Sequence, residues 1–127
     1  MGNGTSIGKV RGLGASHSGT HHWIQQHYLA IASLLLTAWL VVSILMLPNL
    51  GYQTVREWLA KPLPAVLMAL FVIVNIWHAR LGLQTVIEDY VHEHANKFAS
   101  MVILNLIAFA ALAFSVFCVV RLALGAA

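Results

Sequence analysis

The sequence predicts an all-α integral membrane protein with three transmembrane helices, about 28–47, 62–88 and 98–121. Three observations predict it. The 127 residues are 60% hydrophobic and 9% charged, with a mean hydropathy of +0.81, too apolar for a water-soluble domain of this length. The few charges punctuate long neutral runs, and each run is about as long as a bilayer's hydrocarbon core is thick. Polar residues within the second run share one helical face, the mark of a seam turned toward protein or cofactor, since lipid penalises each polar group.

Residues 1–22 are rich in Gly, Ser and Thr without helical period, so they read as an extramembrane, partner-bound arm preceding a transmembrane anchor domain over 23–127. No apolar h-region precedes Trp23, and a secretory signal peptide is not expected. Tyr28 to Leu47 is uncharged and is stopped by Pro48, Asn49 and Gly51. At 1.5 Å per residue it spans about 30 Å. The stretch from Pro48 to Pro62 reads as a short amphipathic loop, with Tyr52 and Trp58 at headgroup level beside Arg56 and Lys61. Helix two opens at Pro62 and Pro64, which suit a first turn where the missing N–H costs nothing, and runs to Glu88. Helix three takes the uncharged run from Phe98 to Val120 and is closed by Arg121. Basic residues do not orient the three spans, because Lys9, Arg11 and Lys97 on one side face Arg56, Lys61 and Arg121 on the other.

Composition also excludes functions. The formal charge is +3, but the basic residues form no stripe of the kind nucleic acid requires, so no nucleic-acid partner is expected. Cys118 is the single cysteine; this chain alone builds neither a disulfide framework nor a thiolate-ligated iron–sulfur cluster. His17, His21, His22 and His27 include an i, i+4 pair, yet a divalent-metal site needs a rigid helix that the glycine-rich arm is not expected to offer before Trp23. These histidines are expected to pack against partner subunits.

Helix two carries the chemistry. At 100° per residue, Asn75, Gly82, Thr85 and Asp89 fall within about 60° of His78. A neutral imidazole at that depth suits two roles, an interhelical hydrogen bond or an axial ligand to haem iron, and the residues alone leave both open. Gly82, one turn on, favours the second, because a macrocycle lying against a helix needs a missing side chain there. The other six histidines precede the first span or follow the second, so a bis-histidine haem would need its second ligand from another subunit. Arg80 lies about 200° from His78 and is expected to snorkel or to pair with another subunit. Asn105 and Ser115 of helix three are expected to hydrogen-bond between helices, and Cys118 to pack.

The run from Trp77 to Val91, WHARLGLQTVIEDYV, resembles the H-x3-G-x2-Q-V-[IL]-x-D-Y-V segment of the hydrophobic, D-type membrane anchor subunit of succinate dehydrogenase (succinate:quinone oxidoreductase, complex II). His78, Gly82, Asp89, Tyr90 and Val91 match that pattern. The stretch from Gly12 through Gly19-Thr20-His21-His22-Trp23 is similar to the family's amphipathic lead-in. One departure is His27, where the family usually has Arg; a contact from that Arg to haem propionates or quinone is not carried over.

The resemblance implies an anchor in a hetero-oligomeric helix bundle, paired with a second small membrane subunit that supplies the other haem histidine. It further implies a docked iron–sulfur subunit and a flavoprotein, which hold the clusters and FAD. His78 would be the axial ligand of haem b, with Gly82 packing on the macrocycle, and Tyr90 with Asp89 would form part of a ubiquinone-reduction site. The implied location is a bacterial cytoplasmic membrane, N-terminus and the 89–97 connection cytoplasmic, C-terminus periplasmic. Two other functions fit the residues without the resemblance: a small proton-relay transporter or channel subunit using His78 and Asp89, or a structural anchor without haem.

Overall fold

A computed structural model describes residues 19–125, and residues 1–18 of the arm expected over 1–22, with Lys9, Arg11 and His17, lie outside them. Four helices follow in order: α1 Gly19–Leu45, α2 Tyr52–Leu59, α3 Pro62–Tyr90 and α4 His94–Ala123. No strand occurs among the described residues. The three long helices are each long and apolar enough to cross a membrane, in agreement with the three expected spans.

The helices extend past the uncharged runs. The first begins at Gly19 rather than near Tyr28, so His21, His22 and His27 stand on a helix and not on an irregular arm. Polar and charged side chains do not end a helix; they only mark where it leaves the apolar phase. By the same logic α3 continues through Glu88 and Asp89 to Tyr90 and α4 starts at His94. α3 opens on Pro62 after the extended N-cap Lys61, as its missing N–H allows. α4 ends at Ala123, and two residues on Gly125 has a φ of +70°, the left-handed conformation that glycine reaches without a Cβ penalty.

The expected loop between the first two spans contains a helix instead. Asn49 Oδ1 accepts hydrogen bonds from the Gly51 amide at 3.0 Å and the Thr54 hydroxyl at 2.7 Å, which tightens the turn that launches α2. Leu59 is buried, and Trp58 stacks on Trp39 of α1 with ring centroids 5.8 Å apart. Arg56 Nη2 donates to the Gly125 carbonyl at 2.9 Å, satisfying an acceptor just past the end of α4. This short helix thus ties the far ends of α1 and α4 together.

Both α1 and α4 pack on α3, the central element. Among the described residues only Leu59, Leu81 and Val119 are buried, at 5%, 3% and 7% exposure, while Leu34, Leu35, Phe98, Phe114 and many other large apolar side chains are exposed. Such an apolar surface is stable only against lipid or other subunits.

Two side-chain bonds fix the register. Ser33 Oγ donates to Asn75 Oδ1 at 2.7 Å, and Arg80 Nε donates to Asn105 Oδ1 at 2.7 Å. With antiparallel neighbours, Tyr28 stands level with about residue 80 of α3 and Leu45 with about residue 63. Apolar Tyr28–Leu45 covers about 27 Å, close to the roughly 30 Å of a hydrocarbon core. On the Tyr90 side the apolar boundary therefore falls between Arg80, the level set by α1, and about Ile87, the level of Phe98 on α4. The last turns of α3 project beyond it.

Candidate functional site

The expected polar stripe on α3 divides between uses. Asn75 is committed within the chain: besides accepting from Ser33 it donates through Nδ2 to the Phe71 carbonyl at 2.8 Å. Thr85 donates to the Leu81 carbonyl at 3.2 Å, one turn back on its own helix. Both hydrogen-bond within the chain.

His78 is different. It is half-buried, and its Nδ1 is buried with no hydrogen-bond partner. An unpaired buried imidazole nitrogen costs about 1–3 kcal/mol, so an interhelical hydrogen bond within this chain is not the role of His78. One turn on, a Cβ built on Gly82 would meet nothing within 4 Å. Glycine inside a helix costs roughly 1 kcal/mol relative to alanine, and here nothing in the chain's own packing requires it. The open strip beside His78 is of the kind a flat macrocycle would occupy, and an imidazole is a proper donor to its iron. The residues present therefore fit a haem.

Asp89 and Tyr90 are eleven and twelve residues from His78, about 16–18 Å along the axis, and form a separate location. Tyr90 is the last residue of α3 and is 78% exposed. Its backbone carbonyl faces His92 Nδ1 at 3.2 Å, while its phenol hydroxyl has no hydrogen bond among the described residues. Asp89 is exposed as well. The helix end beneath them is held by Lys97, whose Nζ donates to the Glu88 carbonyl at 3.1 Å, and by a 2.9 Å bond from Gln84 Nε2 to Glu88 Oε1. Lys97 meets the negative end of the helix dipole there.

Several contacts were not legible from sequence. Arg80, expected to seek lipid headgroups or another subunit, bonds within the chain to Asn105 and lies 5.0 Å from the Trp77 ring centroid. Trp77 in turn meets Phe109 of α4 edge-on at 6.2 Å. Asn105 thus makes its expected interhelical bond, whereas Ser115 makes none among the described residues. On α1, His22 also has a buried, unpartnered ring nitrogen, Nε2, and His27 Nδ1 lies 2.9 Å from the Trp23 carbonyl, its ring 4.0 Å from the indole. The described residues contain no group of three or more His, Cys, Asp or Glu able to hold a metal ion; His17 is outside them. Cys118 is free and half-buried in α4.

A family profile described as succinate dehydrogenase/fumarate reductase transmembrane subunit matches residues 1–114. Among individual proteins, the chain is similar to the succinate dehydrogenase hydrophobic membrane anchor subunit of Rickettsia conorii, 33% identical over 79% of this chain and 80% of that one. It is also similar to the subunit of the same name from Paracoccus denitrificans, 32% identical over 92% of this chain and 90% of the relative, and to that of Rickettsia bellii, 34% identical over 77% of each. No solved structure matches the chain. A profile covering nearly the whole chain, on a fold of three spanning helices, is decisive: the chain belongs to the succinate dehydrogenase/fumarate reductase transmembrane subunit family.

Proposed function

We propose that this multi-pass membrane anchor subunit helps to hold a haem b through His78 and forms part of a ubiquinone-reduction site at Tyr90 and Asp89. In this reading a second small membrane subunit supplies the other haem histidine. An iron–sulfur subunit and a flavoprotein carry the clusters, the FAD and succinate oxidation itself. The membrane is a bacterial cytoplasmic membrane, with the Asp89 to Lys97 end cytoplasmic.

The observation that carries the proposal is the pairing of His78, unpartnered within its own chain, with the empty space beside Gly82. When bound, haem b supplies a one-electron centre within the membrane. The chain's part is to present the imidazole from a rigid helix and to leave Gly82 without a side chain.

At the other location the phenol of Tyr90 donates a hydrogen bond to a quinone carbonyl oxygen. That bond strengthens as negative charge develops on the oxygen during reduction. Asp89, exposed beside it, exchanges protons with the aqueous side, so that the charge is neutralised where it forms.

A proton relay between His78 and Asp89 has less support. The two are about 16 Å apart along the helix, and Thr85 between them spends its hydroxyl proton on the Leu81 carbonyl. The reading is tested by purifying the native assembly through a tag on this chain. Succinate:quinone reductase activity and a haem b spectrum should purify together with the tag; an assembly lacking both would overturn it.

A further inference from the structure

His22, near the start of α1, is the second imidazole with a ring nitrogen that is buried and unpaired, and the functions assigned above do not use it. Its Nε2 is enclosed without a partner, whereas its Nδ1, which makes no hydrogen bond among the described residues either, reaches the surface. An unpaired buried nitrogen costs about 1–3 kcal/mol. Histidine is also the side-chain type that shuttles protons near neutral pH, and a ring with one nitrogen inside and the other outside is arranged to take up a proton on one and release a proton from the other.

The Ser33–Asn75 bond places His22 opposite Asp89. His22 is eleven residues before Ser33 and about 20° around α1 from it, and Asp89 is fourteen residues after Asn75 and about 40° around α3 from it. Both therefore lie on the faces that the two helices turn to each other. Measured from the shared bond they stand about 16 Å and 21 Å toward the same end of the molecule, so their levels differ by less than one helical turn. Helices in contact run about 8–10 Å apart, a gap that an imidazole and a carboxylate span together once the Asp89 side chain turns inward. Asp89 makes no hydrogen bond or ion pair among the described residues. Among the described elements only α3 packs on α1. Its other titratable groups at this end are Tyr90 and Glu88, which accepts from Gln84 and lies about 100° around the helix from Asp89. On α1 itself His21 lies about 100° from His22.

We propose that His22 and Asp89 form a proton-relay pair for quinone reduction, with His22 acting through Asp89. This rests on the quinone-site reading above and names the route by which Asp89 exchanges protons with the aqueous side. A quinone that takes two electrons from the succinate-oxidising subunits needs two protons to become a quinol. For each, His22 takes up a proton from water at Nδ1, its Nε2 proton passes to the Asp89 carboxylate, and Asp89 gives that proton to the reduced quinone oxygen. The ring then regains its starting tautomer by exchange with water.

The test uses the intact purified complex, with succinate as donor and a soluble ubiquinone analogue as acceptor, between about pH 6 and 8. Proton transfer by a positioned group contributes about a hundred-fold or more, and water replaces part of it. His22→Gln and His22→Ala should each lower kcat about ten-fold at the alkaline end, with less loss at the acid end and KM for the quinone little changed. Imidazole added to the medium should restore part of the rate to His22→Ala, which a role in packing alone would not allow. Asp89→Asn should be as slow, and the double variant no slower than the slower single one, because the two groups act in one path. The haem spectrum and electron transfer to an artificial acceptor should stay at wild type. A wild-type kcat in His22→Gln, or losses that multiply in the double variant, would overturn the pair while a slow Asp89→Asn leaves the quinone site standing. A wild-type rate in Asp89→Asn would overturn both. An equal loss in the artificial-acceptor assay would overturn the pair in favour of a structural role for His22.

Discussion

Ser33 and Asn75, forty-two residues apart, share a 2.7 Å hydrogen bond that joins α1 to α3. Because the Asn75 amide also donates to the Phe71 carbonyl, its orientation is set, and with it the register that places Tyr28 level with Arg80. His78 is less than one turn from this clamp. The geometry around the proposed haem ligand therefore depends on a hydroxyl in a different helix.

Ser33→Ala should leave Asn75 Oδ1 without its partner and loosen α1 against α3. Interhelical hydrogen bonds in membranes are worth about 0.6 kcal/mol on average and up to about 1.7. The expected outcome is an assembled complex with a small fall in the midpoint of denaturant-induced dissociation, measured against wild type in the same detergent. A fall larger than that range would mean that Ser33 does more than hold Asn75.

Gly82→Leu separates packing within the chain from packing on an external group. A Cβ at this position meets nothing within 4 Å, and leucine is a better helix former than glycine, so α3 itself should tolerate the change. Haem content per complex, measured by pyridine haemochrome, should nevertheless fall well below wild type. Full haem content would show that nothing lies against Gly82.

The spans were legible in the sequence because formal charges are sparse and lipid forbids them; the ends of α1 were not, because His21, His22 and Gln25 are polar without being charged. The hidden helix α2 escaped notice because it is eight residues long between a glycine and a proline, although Val55, Trp58 and Leu59 carry a helical period. His78 and Gly82 stood out through spacing along one helix. Ser33 did not, and Asn105 was expected to bond between helices without an assigned partner, since a lone polar residue in an apolar run does not say which helix it meets. The partner of Arg80 lay twenty-five residues away in α4, beyond the reach of any pattern within one helix.

Topology follows from three spans and the side assigned to Lys97. A reporter inserted in the 91–93 connection should be active in the cytoplasm, and one fused after Ala127 should be active only in the periplasm. A C-terminal reporter active in the cytoplasm would remove one of the spans.

Tyr90→Phe keeps the exposed ring and deletes only the hydroxyl. Hydrogen bonds to charged groups are worth about 1.5–3 kcal/mol, so the quinone-reduction rate should fall roughly ten- to hundred-fold. Electron transfer from succinate to an artificial acceptor, and haem content, should stay near wild type. Unchanged quinone reduction would reduce Tyr90 to an interfacial anchor.

The central claim is that His78 holds haem iron, and the most direct measurement is the reduced-minus-oxidised optical spectrum of the purified complex carrying His78→Leu. Leucine fills a similar volume in the helix and offers no donor atom. The account predicts that the low-spin haem b bands of the wild type are lost or shifted toward a five-coordinate form held by the partner subunit, with succinate oxidation by the soluble subunits retained. An assembled mutant complex with an unchanged low-spin spectrum would contradict it.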